Sequence, residues 1–176
     1  MIIDFVFKKM FKFIYNKLIR PSQVRIRVNI INNLEVNSIL DVGAGNGNLK
    51  QGLDSRITYT GIDIEPKSSF VLKNSIKNYN PGKKFDIVCA FAVLEHLTNP
   101  VEAIKKLKEL SNNYILISVP YEPYYTISRF FIQEKEHYWT IYSKLLKHYL
   151  GKPIFEMHIH CGREYMGLYE NKYENK

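Results

Sequence analysis

The chain has 176 residues, of which 45% are hydrophobic and 14% aromatic, and its formal net charge is +8. This length suits one domain with a real core, and the hydrophobic fraction excludes a disordered chain. Two cysteines, Cys89 and Cys161, exclude a disulfide framework and give no metal-binding spacing. Residues 1–30 carry seven basic residues and one acidic residue, so +6 of the net charge belongs there. Because a nucleic-acid enzyme would more naturally spread its cations around the active cleft, we expect no nucleic-acid partner.

The first 20 residues have a basic amphipathic pattern. Apolar residues recur at helical spacing, at Ile3, Phe7, Met10, Phe11, Ile14 and Leu18. Lysines interrupt them too often for a transmembrane span, and their order is not that of a secretory signal. Two interpretations remain open: a helix on an anionic membrane surface, or a helix packed on its own domain or on a second copy of the chain. We expect a cytoplasmic protein. If the helix lies on a membrane, the protein would be peripheral to it.

From residue 21 onward, strand and helix patterns alternate. Strands are predicted over Ser38–Val42, Ile57–Asp63, Phe70–Leu72, Phe85–Phe91, Tyr114–Val119, 153–160 and 164–169. Helices are predicted over Ser22–Leu34, Asn99–Leu110 and Ser143–Leu150. Residues 121–142 form an aromatic-rich insertion, and the tail 171–176 is polar. The alternation predicts an α/β fold with a doubly wound, mostly parallel sheet and helices on both faces.

The most informative motif follows the first predicted strand. That strand, Ser38–Val42, contains an acid at Asp41 and leads into Gly43-Ala44-Gly45-Asn46-Gly47. Glycine tolerates positive φ and has no Cβ, so the backbone can come close to a ligand where the strand turns into a helix. Dinucleotide-binding enzymes use the spacing G-x-G-x-x-G instead. Together with the absence of a Tyr-x-x-x-Lys pair in the second half of the chain, this spacing disfavours a nicotinamide-dependent oxidoreductase.

The glycine motif resembles motif I of the class I S-adenosylmethionine-dependent methyltransferases, in particular the type 11 domain that acts on small molecules. Further segments resemble other motifs of the family: Tyr59-Thr60-Gly61-Ile62-Asp63-Ile64, Phe85-Asp86-Ile87-Val88, Ala92-Val93-Leu94-Glu95-His96-Leu97, Ser118-Val119-Pro120 and His137-Tyr138-Trp139-Thr140. The resemblance covers residues 21–170. It implies one methyltransferase domain over them, a Rossmann-like seven-stranded sheet whose last strand is antiparallel, and S-adenosylmethionine as the cofactor.

The resemblance also implies roles for single residues around the cofactor. Asp63 would accept hydrogen bonds from both ribose hydroxyls, and Ile64 would pack on the adenine. Asn74 stands where many relatives have an aspartate that binds the adenine amino group. The loop at Ala92 would lie beside the methionine part.

The charged ends of that methionine part need partners of opposite charge. Backbone N–H groups of Gly43–Gly47 and the N-terminus of the following helix would favour the carboxylate. Asp41 would supply negative charge near the ammonium group.

Catalytic residues are expected after the fourth and fifth strands and in the insertion. The candidates are Glu95, His96, Tyr121 and His137. A structural role competes with each of them, and a general base is needed only if the attacking atom carries a proton of high pKa. No metal site is expected, because His158 and His160 share a strand face without a third ligand.

These observations predict an S-adenosylmethionine-dependent methyltransferase that acts on a small-molecule, lipid-linked or sugar-precursor acceptor. The alternative from another class is a methyltransferase-like binding or partner subunit that has lost catalysis.

Overall fold

A computed structural model describes residues 20–121, 137–159 and 163–172. The strands in these ranges are β1 Ser38–Val42, β2 Thr58–Asp63, β3 Val71–Lys73, β4 Phe85–Phe91, β5 Ser111–Pro120, β6 Phe155–Ile159 and β7 Glu164–Glu170. The α-helices are α1 Arg20–Asn32, α2 Pro100–Leu110 and α3 Ser143–Leu150. Two short 3-10 helices in the same described ranges cover Asn48–Gly52 and Leu94–His96.

Several sequence predictions fall outside the described ranges. The amphipathic helix predicted over residues 1–20 is one of them, apart from its last residue. Most of the aromatic insertion and the end of the polar tail are others. In the ranges that are described, no helix combines the length and the apolar character needed to cross a membrane.

All seven strands form one sheet with the order β3-β2-β1-β4-β5-β7-β6. Strands β1 to β5 pair in parallel, whereas β7 is antiparallel to both of its neighbours. The carboxyl ends of β1 to β5 therefore meet at one edge of the sheet, which we call the carboxyl edge, and their amino ends meet at the opposite amino edge. The strand order reverses between β1 and β4, which is where open α/β sheets bind ligands.

The alternating side chains of the central strands supply two apolar cores, one on each face of the sheet. Leu40 and Val88 face α2 and α3, whose buried residues belong to the same core. Ile39 and Cys89 point to the other face, where α1 packs with the 3-10 helix at Asn48–Gly52. Burial on both faces explains why β4 is apolar almost throughout.

The predicted α/β fold, with its mostly parallel seven-stranded sheet, is confirmed. The predicted bounds of β1, β4 and α3 match the structure residue for residue. The helix expected after the glycines differs, because it is only the 3-10 helix Asn48–Gly52. Few residues separate the glycines from β2, and Gly52, Asp54 and Ser55 among them are weak helix formers.

Candidate active site at the carboxyl edge

The glycine loop between β1 and the first 3-10 helix needs glycine for its backbone conformation. Gly43, Gly45 and Gly47 have φ angles of 71°, 54° and 67°, which side-chain-bearing residues rarely adopt. A Cβ on Gly43 would clash with Cγ2 of Val93, so the loop after β4 packs directly on this glycine. At Gly45, by contrast, no heavy atom of the described residues lies within 4 Å of the place of a Cβ. The loop is thus packed on its flanks and open at its centre.

Most N–H groups of this loop are already engaged inside the protein. Gly43 and Ala44 donate to the carbonyl oxygen of Ile62, at 2.9 and 3.0 Å, and Gly47 donates to that of Ala44 at 2.8 Å. Gly45 donates to Oδ2 of Asp63 at 2.8 Å. The 3-10 helix that follows also has only five residues, so little helix dipole develops. The loop is therefore suited to hold a ligand by its shape more than by the N–H groups and helix N-terminus that we predicted.

Asp63 ends β2 and organises the neighbouring backbone. Its Oδ1 accepts the N–H of Glu65 at 2.8 Å, while Oδ2 holds Gly45. Each carboxylate oxygen can accept a further hydrogen bond, so the half-buried carboxylate keeps capacity for a ligand. Ile64 is 65% exposed beside it, and Asn74 donates its backbone N–H to the carbonyl of Asp63 at 2.9 Å. These three predicted site residues thus lie together at the carboxyl edge.

Asp41 is buried near the end of β1, and its partner is a residue that the sequence analysis gave no role. The hydroxyl of Tyr59 donates to its Oδ2 at 2.8 Å. Burial raises the pKa of Asp41 to about 6, against the lowering effects of this hydrogen bond and of the Arg27 charge. Gly61 makes room for the tyrosine, because a Cβ there would stand 2.6 Å from the hydroxyl oxygen. The pattern Tyr59-x-Gly61 was the available signal for this contact.

The loop after β4 begins with an unusual backbone conformation. Ala92 has a φ of 53°, and its N–H donates to the carbonyl of Ser118 on β5 at 3.0 Å. Glu95 follows in the second 3-10 helix and is 1% exposed. Its carbonyl oxygen accepts the N–H groups of Tyr138 and Trp139, at 2.9 and 3.2 Å. These bonds fasten the end of the insertion to the loop after β4.

Three of the four predicted catalytic residues come together here. The rings of His96 and His137 lie edge to face with their centroids 4.5 Å apart. Glu95, His96 and His137 each offer one ligand atom, and these three atoms lie within 4.8 Å of one another. The fourth candidate, Tyr121, instead packs its ring on His158 at 4.3 Å. Each of the three residues is predicted singly from the sequence, but their meeting is not.

A buried ion pair completes this edge, and the sequence analysis missed it. Arg27 of α1 lies 2.6 Å from Glu164 at the start of β7 and donates to Ser118 Oγ at 3.2 Å. Its guanidinium also covers the ring of Phe91 at 4.2 Å, and Gln23 donates to the same glutamate. One of the cations counted in the basic N-terminus is therefore an internal charge. No sequence pattern relates two residues so far apart in the chain.

Comparison with known proteins decides the family. The model of a family described as "Methyltransferase domain" matches residues 14–154, most of the chain. The chain belongs to this methyltransferase family. A comparison with curated proteins finds no match.

Solved methyltransferase structures share its class I fold. An S-adenosylmethionine-dependent methyltransferase from Clostridium acetobutylicum ATCC 824 is 15% identical with a TM-score of 0.65, covering 93% of this chain and 98% of that one. One from Archaeoglobus fulgidus is 18% identical with a TM-score of 0.66, covering 92% and 99%. The N-methyltransferase NodS from Bradyrhizobium japonicum WM9, in complex with S-adenosyl-L-homocysteine, is 15% identical with a TM-score of 0.62, covering 87% and 86%.

Proposed function

We propose that this methyltransferase binds S-adenosylmethionine at the carboxyl edge and methylates a small-molecule, lipid-linked or sugar-precursor acceptor. The observation that carries the proposal is the open position over Gly45, a glycine at positive φ whose N–H is held by Asp63. Free space above a backbone, beside a carboxylate that can accept further hydrogen bonds, suits a nucleoside with a ribose diol.

The side chains around this position fit the cofactor. Asp63 would accept the ribose hydroxyls, and the exposed Ile64 offers an apolar surface for the adenine. Asn74, anchored to the Asp63 backbone, is the candidate for the adenine amino group. With a pKa of about 6, Asp41 is mostly ionised at pH 7 and supplies negative charge for the ammonium group. The adenosine part and the ammonium group of the cofactor therefore each have a partner of suitable chemistry.

S-adenosylmethionine, when bound, supplies a methyl group that its sulfonium already activates. The task left to the chain is to hold the acceptor in line with that methyl group and to exclude water. Glu95, His96 and His137, which lie close together, are our candidates to receive a proton from an acceptor that loses one. Alignment rather than acid–base chemistry is therefore the main contribution we assign to the protein.

Calorimetric titration of the whole chain with S-adenosylmethionine tests the proposal. We expect the wild type to bind with a Kd below about 1 mM. Gly45→Ala places a methyl group in the open position and should weaken binding by about tenfold or more. Absence of wild-type binding would overturn the proposal. Binding without transfer to any acceptor would instead favour the alternative of a non-catalytic partner subunit.

Gly82→Ala is the matched control for this variant. Gly82 also has a positive φ, 67°, and no described heavy atom within 4 Å of its Cβ place, but it precedes β4 at the amino edge. Both alanines should cost a similar backbone strain of about 1–2 kcal/mol in the free energy of unfolding. Since only Gly45 faces the proposed cofactor, equal affinities of the two variants would show that the glycine loop is not the site.

A further inference from the structure

The cluster of Glu95, His96 and His137 has the donor atoms of a metal centre. Two imidazoles and one carboxylate are a common ligand set for zinc and for ferrous iron, and they leave coordination positions open. The three donor atoms lie within 4.8 Å of one another. In the tetrahedral arrangement of zinc, ligands that are each about 2.0–2.2 Å from the ion lie about 3.3–3.6 Å apart. Side-chain rotations that shorten the longest of these separations by about 1 Å would therefore bring all three donors onto one cation.

The backbone holds the cluster together from two separate segments. Glu95 and His96 are consecutive residues of the 3-10 helix after β4. His137 arrives from the far end of the insertion, and the next two N–H groups, of Tyr138 and Trp139, bind the Glu95 carbonyl. Two segments that converge through backbone bonds give the donors a fixed relative position, which a metal site requires.

Burial of Glu95 is the second observation that points to a cation. This glutamate is 1% exposed. Charges interact strongly where water is excluded, so this carboxylate would hold a divalent cation that the two imidazoles also ligate. The expectation of no metal site concerned His158 and His160, whereas these three donors come from two other segments of the chain.

We propose that Glu95, His96 and His137 bind one divalent transition-metal cation, of which Zn²⁺ is the reference ion. The site adjoins the glycine loop, because the intervening Val93 packs on Gly43. If the proposed function holds, on which this step rests, the cation's open positions face the acceptor and hold one of its oxygen atoms. The acceptor class would then be a molecule with a hydroxyl or other oxygen donor next to the methylated atom.

Metal titration of the tag-free whole chain, stripped with a chelator, tests the site directly. We expect one Zn²⁺ per chain with a Kd below about 10 µM. Co²⁺ should give visible absorption bands typical of nitrogen and oxygen ligation. His96→Asn and His137→Asn should each weaken binding by about 100-fold or more. Wild-type protein that binds no cation in this range would overturn the proposal.

The control is His148→Asn, which removes an exposed histidine of α3 and should leave the affinity unchanged. Circular dichroism of each variant establishes that it folds. If the His96 and His137 variants fold and bind as tightly as the wild type, the cation sits elsewhere and the assignment is wrong.

Two further titrations separate this inference from the proposed function. Acetohydroxamate, a chelating oxygen ligand, should change the Co²⁺ spectrum, and an unchanged spectrum would mean that no position is open to an acceptor. Titration with S-adenosylmethionine in the presence of chelator measures cofactor binding alone. Cofactor binding without metal binding overturns the metal site, whereas metal binding without cofactor binding overturns the proposed function.

Discussion

At the amino edge of the sheet, the carboxylate of Asp86 accepts two backbone N–H groups at the start of β1, at 2.8 and 3.0 Å. At the carboxyl edge, the carboxylate of Asp63 accepts two backbone N–H groups, both at 2.8 Å. Each edge also has a glycine at positive φ with open space at its Cβ place, Gly82 and Gly45 respectively. Residue type and local geometry therefore do not distinguish the carboxyl edge, where we propose that the cofactor binds, from the amino edge.

The two edges differ in how strongly their charged groups and backbone conformations disfavour the folded state. At the amino edge, Arg56 donates to three backbone carbonyl groups near the end of α1 and keeps 42% of its side chain exposed. The carboxyl edge instead buries Asp41, buries Glu95 and holds Ala92 at positive φ. Such unfavourable features persist where the surrounding structure enforces them, and they concentrate at functional sites. A binding site is therefore better recognised by the strain and buried charge that it retains than by its residue types.

The largest contrast should come from the two arginines. Arg27→Met leaves Glu164 as a buried carboxylate without its ion-pair partner, and we expect a loss of about 4 kcal/mol in the free energy of unfolding. Arg56→Met frees carbonyl groups that water can reach, so a loss of about 1 kcal/mol is expected. Urea unfolding followed by circular dichroism measures both. Equal losses would mean that the two edges do not differ in buried charge.

Asp41→Asn should raise the free energy of unfolding at neutral pH. The carboxylate is ionised there although its burial disfavours the charged form. Its pKa is about 6 in the folded chain and 3.8 as an ordinary side chain, since burial disfavours the charged form. The folded state thus binds the proton more tightly, and the free energy of unfolding falls as the pH rises from about 4 to about 6. Asparagine does not titrate, so its advantage over the wild type should grow across that window by about 3 kcal/mol.

Urea unfolding at pH 4 and at pH 7.5 measures this growing difference. Tyr59→Phe serves as the companion variant. The Tyr59 hydroxyl lowers the pKa of Asp41, so removing it should move the pH range of this stability change upward. An advantage of Asp41→Asn that is the same at both pH values would show that Asp41 is not the titrating group.

Local backbone requirements were predictable from the sequence. The three glycines at alternating positions encode three positive φ angles, and the apolar runs of β1 and β4 encode burial on both faces. Asp63 could be placed at the carboxyl edge, because it ends a predicted strand and the alternation of strands and helices predicts a parallel sheet. In each case the determining residues are adjacent in the chain, so that a pattern of a few residues contains the information.

Contacts between distant segments were not predictable in the same way. Arg27 and Glu164 are 137 residues apart, and they meet only because the fold brings a side chain of α1 to the start of β7. His137 reaches Glu95 and His96 through an insertion whose path no periodicity describes. Tyr59 meets Asp41 through strand pairing, which requires the register of β1 and β2. Side-chain clusters of this kind need the three-dimensional fold.

Asp63 and Asp86 are the most similar residues of the two edges, and their alanine variants should differ least in stability. Asp63→Ala and Asp86→Ala each remove a carboxylate that accepts two N–H bonds, so each should cost about 2 kcal/mol in the free energy of unfolding. Only Asp63→Ala should also weaken S-adenosylmethionine binding, by about 10-fold to 100-fold, because only that carboxylate adjoins Gly45 in the proposed site. Calorimetry measures the affinity and urea unfolding the stability. If both variants lose affinity in proportion to their stability, the loss reflects folding alone; loss by Asp63→Ala alone places this carboxylate at the cofactor site.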